Sequence, residues 1–196
     1  MPERIDIGDG VVLERATITH AAAVAGAVGE SLEHLRPFLP WADEENARQS
    51  VQHNRLVTVT RLWNDGREYQ YAITTADPTD DRVIGMISVM RNDRWHVGPD
   101  AVEIGYWVHV DWCNRGIATR ASRALAAASL ALDGVERVVI AVDAVNSPSN
   151  AIPRKLGFAM EKVVEGPPSA PGESGRMQIW VQHTPPTESD APGGPR

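Results

Sequence analysis

Cysteine is all but missing from this chain. Cys113 is the only one among 196 residues, which excludes an intrachain disulfide and any cysteine-based zinc cluster. The six histidines are scattered, and no two stand four residues apart as in a helical zinc site, so no metal is expected. Positive charge is in deficit, with 19 Lys and Arg against 26 Asp and Glu, a net charge of −7. Nucleic-acid binding usually leaves a basic patch, so no nucleic-acid partner is expected, while a cationic substrate such as an amine is compatible with this balance. No run approaches the 18 apolar residues of a membrane span. The opening MPERIDIGDGVV has no apolar segment of the kind that directs export. These absences predict a reduced, cytoplasmic protein with no membrane partner.

What is present is an ordinary globular composition, 42% hydrophobic and 23% charged, on a chain long enough for one sizeable core. Residues 1–184 are expected to form one domain. Residues 185–196 are rich in Pro and Gly and are expected to be disordered. Residues 11–15 read as a strand, followed by a helix capped by Thr19 and running to about Leu35, with Val24, Val28, Leu32 and Leu35 on one face. Pro37 and Pro40 must break it. Asp43 would cap a second helix toward Trp63, although the β-branched stretch 56–63 also suits a strand. Strands are expected at 68–75, 82–91, 101–110 and 135–142, with a helix from about Gly116 to Leu132 whose apolar face carries Ile117, Ala121, Leu125, Ala128 and Leu132. A short helix at 149–158, closed by Gly157, precedes a final hairpin ending at 177–183. The order implies a mixed α/β sheet, with parallel pairing where a helix crosses from 101–110 to 135–142.

The stretch YWVHVDWCNRGIATRASRALAAASL, residues 106–130, is a strand, a short polar turn and a helix start. Helix N-termini expose unpaired N–H groups at the positive end of the macrodipole and so attract anions. Gly116 permits close approach to the backbone, and Arg115 adds charge. Neither G-x-x-x-x-G-K-[ST] nor G-x-G-x-x-G occurs, which excludes the P-loop and the dinucleotide fingerprint. A second polar segment, NSPSNAIPRKLGF at 146–158, starts at the C-terminal end of the next strand, the edge where open α/β sheets bind ligands. Asn146, Ser149 and Asn150 stand there; one of them can cap the short helix.

With both segments in view, the sequence resembles the GCN5-related N-acetyltransferase superfamily, and within it the RimJ/RimL-type branch. The family's acyl-CoA loop, Q/R-x-x-G-x-G/A, is matched by Gly116 and Ala118 and departs at Cys113. The second motif, N-x-x-S with G-F eight residues on, is matched by Asn146, Ser149, Gly157 and Phe158. LEHLRPFLPWA (32–42) resembles the acceptor-side helix and loop, and EIGYWV (103–108) the central strand. The resemblance implies an α/β fold in which a mixed, mostly antiparallel sheet splays between strands near 101–110 and 135–142, flanked by about four helices. Acetyl-CoA or another acyl-CoA would lie in the splay as co-substrate. Its pyrophosphate would meet the amides of Asn114, Arg115, Gly116, Ile117, Ala118 and Thr119. Its pantetheine would pair with the backbone of Val108, His109 and Val110, and Asn146 and Asn150 would touch the thioester end. The family also often forms homodimers.

Acylation of an amine requires a neutral nucleophile, a donor for the developing oxyanion and a proton for the departing thiolate. Glu103, on the strand face shared with Gly105 and Trp107, is the expected base, with His109 as the lesser candidate. Many family members carry a proton-donating Tyr on the short helix, where this chain has Pro153, so Ser149 is the expected donor to the thiolate. The acceptor would be a protein N-terminal amine or a small-molecule amine, held by residues 33–41 and the loop 165–176. Two other readings stand beside this one: a Cys113–His acyl-enzyme of the arylamine acetyltransferase kind, and an acyl-CoA-binding sensor without turnover.

Overall fold

The computed structural model describes residues 1–77, 79–92 and 94–184. The tail expected to be disordered lies outside the described residues. One eight-stranded sheet runs through the molecule in the spatial order β1-β2-β3-β4-β5-β6-β8-β7. Its strands are β1 (Arg4–Asp6), β2 (Val11–Arg15), β3 (Glu68–Thr75), β4 (Val83–Met90), β5 (Ala101–Val108), β6 (Arg137–Asp143), β7 (Ala159–Glu165) and β8 (Arg176–His183). Every neighbouring pair is antiparallel except β5 and β6. Among the described residues four α-helices complete it: α1 (Ala21–Leu35), α2 (Gln49–Asn64), α3 (Ile117–Leu130) and α4 (Ser147–Leu156).

Alternation along the strands divides the core between the two faces. Leu13, Tyr71, Ile87, Ile104 and Trp180 pack with Ile117, Ala121 and Leu125 of α3. On the opposite face Ala72, Met86 and Trp107 meet Val24 and Val28 of α1 and Leu56 of α2. A third cluster, Val97, Ala101, Val139, Ile179 and Val181, continues that second face past β5. Each fully buried aliphatic side chain is worth roughly 1.5–3 kcal/mol of transfer free energy.

Several boundaries differ from the sequence expectation. β1 was not expected; its three residues are too few and too polar to show an alternation. The first helix is preceded by a 3-10 turn at Ile18–His20, where the Thr17 N–H donates to the His20 ring (3.1 Å), so Thr19 is not its cap. Asp43 caps a turn instead of α2, accepting the Asn46 N–H at 2.8 Å. The stretch 56–63 is helical: Leu56, Val59 and Trp63 are buried at helical spacing, and tertiary packing overrides their β propensity. β5 ends at Val108, followed by a 3-10 turn at Val110–Trp112. In α3 the buried positions include Ser122 and Ser129, while Ala128 is only half-buried.

Gly85 fixes how β4 lies against β5. It stands opposite a register shift between Ile73 and Thr74 of β3. A Cβ there would collide with the Trp107 carbonyl and lie 3.1 Å from Val108 Cα. These are backbone atoms that cannot turn aside. The Gly85→Ala variant is expected to lose about 1–3 kcal/mol of stability. Calorimetry should show the thermal midpoint falling by about 2–4 °C per kcal/mol; an unchanged midpoint would show that β5 yields freely.

Candidate active site

β5 and β6 are paired over only three residues, Ala101–Glu103 against Arg137–Val139. Beyond Glu103 they part. β5 stays with β4, its register running to Gly85↔Val108. β6 stays with β8 as far as Asp143↔Met177. The His109 N–H donates to the Ile84 carbonyl at 2.9 Å, so alternate residues back along β5 bond to β4. Tyr106 and Val108 therefore turn their N–H and C=O toward β6, where the strands have already separated. Of the three backbones expected to meet the pantetheine, only Val108 turns toward the gap; Tyr106 does so as well, whereas His109 and Val110 do not. The His109 amide is committed to Ile84, and the Val110 amide to Ser31 Oγ at 3.2 Å.

At the mouth of the cleft Gly116 opens α3 in the left-handed region, φ 71°, with no side-chain cap. Asn114 is also left-handed, φ 61°. The first helical bond is Arg120 N–H to the Gly116 carbonyl, 3.0 Å. The N–H groups of Ile117, Ala118 and Thr119 precede it and have no helical acceptor. The Ile117 side chain is buried in the core beneath, while Asn114, Arg115 and Gly116 are exposed. The Arg115 guanidinium stacks 4.6 Å from the Trp112 ring centroid and donates to the Asp111 carbonyl at 2.9 Å, so its charge stays beside the loop. These features suit a pyrophosphate, which needs backbone donors, positive potential and no obstructing Cβ.

Glu103 lies at the closed end of the cleft, in the last β5–β6 rung, and accepts from Asn92 Nδ2 at 3.1 Å. Both His109 ring nitrogens are engaged: Nδ1 accepts the Asp111 N–H (3.1 Å) and Nε2 lies 2.9 Å from Glu30 Oε2. Cys113 does have a histidine nearby, His34 Nε2 at 3.4 Å, brought from α1. Burial, and secondarily the Asp111 charge, push its thiol above the ordinary value. The His109 carbonyl lies 3.4 Å from the sulfur as an acceptor for the S–H. Both effects favour the thiol over the nucleophilic thiolate.

On the far wall Asn146 is the cap of α4, its Oδ1 accepting the Ser149 N–H at 3.2 Å. Asn150 departs from expectation. It is 1% exposed, donates to the carbonyls of Asp143 (2.8 Å) and Asn146 (3.1 Å), and accepts the Trp180 indole N–H (3.1 Å). Its amide is fully engaged in joining α4 to β6 and β8. Ser149 is half-buried on the first turn. Pro153 lies four residues on inside the same helix and has no N–H to give the Ser149 carbonyl. The Tyr106 hydroxyl donates to that carbonyl instead, 3.3 Å across the cleft. Burial drives the Tyr106 phenol far above its ordinary value, outweighing this hydrogen bond, so it keeps its proton.

The two loops expected to hold the acceptor touch each other. The Gly172 N–H donates to the Pro37 carbonyl at 2.7 Å, joining the 166–175 loop to the α1–α2 connection. Asp143, at the end of β6, holds the other side of that loop, accepting from Ser174 N–H (3.0 Å), Ser174 Oγ (2.9 Å) and Gly175 N–H (3.1 Å). Burial alone would raise its carboxyl, but these donors together with the Val145 N–H hold it below the ordinary range. Asp143 and Tyr106 were missed in the sequence because their partners are distant along the chain.

A sheet split between two parallel strands, with an uncapped helix N-terminus at the mouth of the split, is the architecture of an acyl-CoA-dependent acyltransferase. The chain belongs to the GCN5-related N-acetyltransferase (GNAT) family: residues 11–159 match its Acetyltransferase (GNAT) domain. It is an N-acetyltransferase, with acetyl-CoA as donor and an amine as acceptor. Solved structures share the fold. A RimL ribosomal L7/L12 α-N-protein acetyltransferase in complex with coenzyme A has a TM-score of 0.81 at 20% identity, covering 92% of this chain and 98% of that one. The microcin C7 self-immunity acetyltransferase MccE, in complex with acetyl-CoA and AMP, has a TM-score of 0.80 at 18% identity, covering 94% and 98%. RimJ of Mycobacterium smegmatis in complex with CoA-disulfide has a TM-score of 0.77 at 19% identity, covering 93% and 84%. No curated protein matches the chain in sequence. Among the described residues no helix is long and apolar enough to cross a membrane, and no cluster suited to a metal ion occurs.

The Asp143 clamp generates a pH prediction. A carboxyl held below its unfolded value of about 3.9 stabilises fully above that value and loses its contribution as the pH falls through the lowered folded value. In the Asp143→Asn variant the amide hydrogens of Ser174 and Gly175 should exchange about ten- to a hundredfold faster at neutral pH. Unchanged exchange at those two amides would mean that the loop does not depend on Asp143.

Proposed function

We propose that the protein acetylates a primary amine, foremost the N-terminal amine of a protein, by direct attack within a ternary complex, and that the cleft described above is where it does so. The observation that carries this reading is the continuity of two sets of backbone groups. The inward-turned N–H and C=O of Tyr106 and Val108 lead straight to the uncapped N–H groups of Ile117, Ala118 and Thr119. An extended pantetheine with a pyrophosphate behind it has that sequence of needs: strand-like pairing first, then anion binding. The likeness to the RimL ribosomal L7/L12 α-N-protein acetyltransferase supports a protein N-terminus as acceptor.

Each residue then has a defined task. The amine enters over the sheet face that carries Glu103 and Gly105. Glu103, directly or through one water, takes the proton that the amine must lose. The amine nitrogen bonds to the acetyl carbon, and the carbon–sulfur bond breaks. A backbone N–H of β5 donates to the carbonyl oxygen as charge builds on it. The departing sulfur takes a proton through the Ser149 hydroxyl, which regains it from solvent water as it gives it up; that hydroxyl is free of the capping duty that Asn146 performs. Tyr106 is a positioning residue, holding the first turn of α4 in place through the Ser149 carbonyl.

Measuring CoA release beside calorimetric acetyl-CoA binding separates these tasks. Glu103→Gln is expected to lower kcat at neutral pH by about 10²-fold or more with donor affinity unchanged. Gly116→Glu is expected to weaken acetyl-CoA binding by more than about tenfold, since it sets a charge and a strained left-handed residue against the pyrophosphate. If both behave as wild type, the residue assignments fail. Tight donor binding without CoA release across a broad amine panel would leave an acyl-CoA-binding sensor.

A further inference from the structure

The acceptor side holds a cation that the proposed chemistry does not use. Arg55, on α2, is half-buried. Its guanidinium lies 5.6 Å from the centroid of the Trp41 ring, and Trp41 in turn stands 6.2 Å from Trp107 of β5. No hydrogen bond or ion pair of Arg55 is formed among the described residues. The nearest opposite charge acting on it is Glu68, the first residue of β3, which lies beyond ion-pair distance. Burial lowers the Arg55 value and raises that of Glu68, each partly offset by the other. Arg55 thus presents a partly desolvated guanidinium, resting on an aromatic face, whose five N–H donors have no protein acceptor among the described residues.

The position of Arg55 relative to the reaction follows from strand register. Glu68 pairs with Met90, and Met90 with Glu103. Glu68 and Glu103 are thus two strands apart on one rung and one face of the sheet, on the order of 10 Å between backbones. The apolar cluster under α1 and α2 includes Met86 and Trp107 and goes no further along β4 and β5. The next rungs, Ser88 with Gly105 and Met90 with Glu103, lie between that cluster and the third one. Gly105 presents no side chain, and the flexible tip of Met90, 3.3 Å from where a Cβ would stand, covers the strand there. Trp41 packs on Trp107 at the near end of these rungs, and Arg55 of α2 lies over the Trp41 ring.

We propose that Arg55, backed by the face of Trp41, binds a carboxylate carried by the acceptor on the order of 10 Å from the amine that is acetylated. The inference rests on the N-acetyltransferase reading above and specifies its acceptor class. An extended peptide covers about 3.3–3.6 Å per residue. The carboxylate thus belongs two or three residues from the reacting N-terminus, as an acidic side chain or as the end of a very short peptide. A planar guanidinium suits it, because two parallel N–H donors meet two carboxylate oxygens. Glu68 offsets part of its charge from beyond ion-pair distance, and Glu103 is left for the amine.

The test uses the full chain, acetyl-CoA and matched tripeptides, with CoA release as the readout. One pair is Ser-Ala-Glu-amide against Ser-Ala-Gln-amide. The other is Ser-Ala-Ala with a free carboxylate against its amide. In the wild type the carboxylate-bearing member of at least one pair is expected to have a KM about tenfold lower, with kcat nearly equal; which pair responds identifies the carboxylate's source. Arg55→Met, which keeps a stem on Trp41, should raise that KM about tenfold and leave the neutral peptide unchanged, and Arg55→Lys should restore part of the difference. Equal KM values within both wild-type pairs would overturn the proposal, as would an Arg55→Met variant that weakens acid and neutral peptides alike. The wild-type comparison stands even if the variant fails to fold. If acetyl-CoA binds but no peptide or simple amine releases CoA, the transferase reading itself fails, an outcome distinct from acetylation without carboxylate preference.

Discussion

The separation of β5 from β6 is the constraint on which the rest depends. A strand inside a sheet would ordinarily satisfy its backbone on both sides. Here β4 holds β5 along one edge and β8 holds β6 along one edge, and the two inner edges are shared for only three residues. The unmade rungs are a cost in the free protein and a binding surface for anything shaped like a strand. Everything else either keeps the gap open or furnishes its ends. Gly85 lets β4 lie close against β5, α3 brings its N-terminus to the mouth, and Asn150 ties α4, β6 and β8 into one wall.

The two walls are nevertheless connected. Tyr106 reaches from β5 to the Ser149 carbonyl on α4, and the 166–175 loop is fastened to Asp143 at one side and to Pro37 at the other. The β5–β6 cleft and the two joined loops are therefore parts of one hydrogen-bonded framework. Packing supplies most of the stability, while these few polar links set the distances on which transfer depends.

Much of this was legible in the sequence, and the exceptions share a cause. The alternation of β3 to β6 and the order of the two motifs located the split and the helix start at Gly116, because both are local patterns. Asp43 looked like the start of α2 because it is followed by suitable residues, yet the chain from Arg36 to Arg48 is held in turns, among them the Arg36 Nε bond to the Ala42 carbonyl. Asn150 was read as a ligand contact because it is polar and adjacent to Ser149. Its duty is to a tryptophan thirty positions away. His109, Cys113, Tyr106 and Asp143 likewise take their meaning from Glu30, His34, Ser149 and Ser174. Periodicity reports which face a residue occupies. It does not report what meets it there.

Pro153 carries a consequence beyond its own helix. By withholding one N–H it leaves a carbonyl of α4 open to a phenol from another strand. Any other residue at 153 brings that N–H back and competes with Tyr106 for the same oxygen. Positions 106 and 153 are thus thermodynamically linked through an atom that belongs to neither. Tyr106→Phe should cost less in a chain without the proline than in this one, so the effect of either substitution depends on which residue occupies the other site.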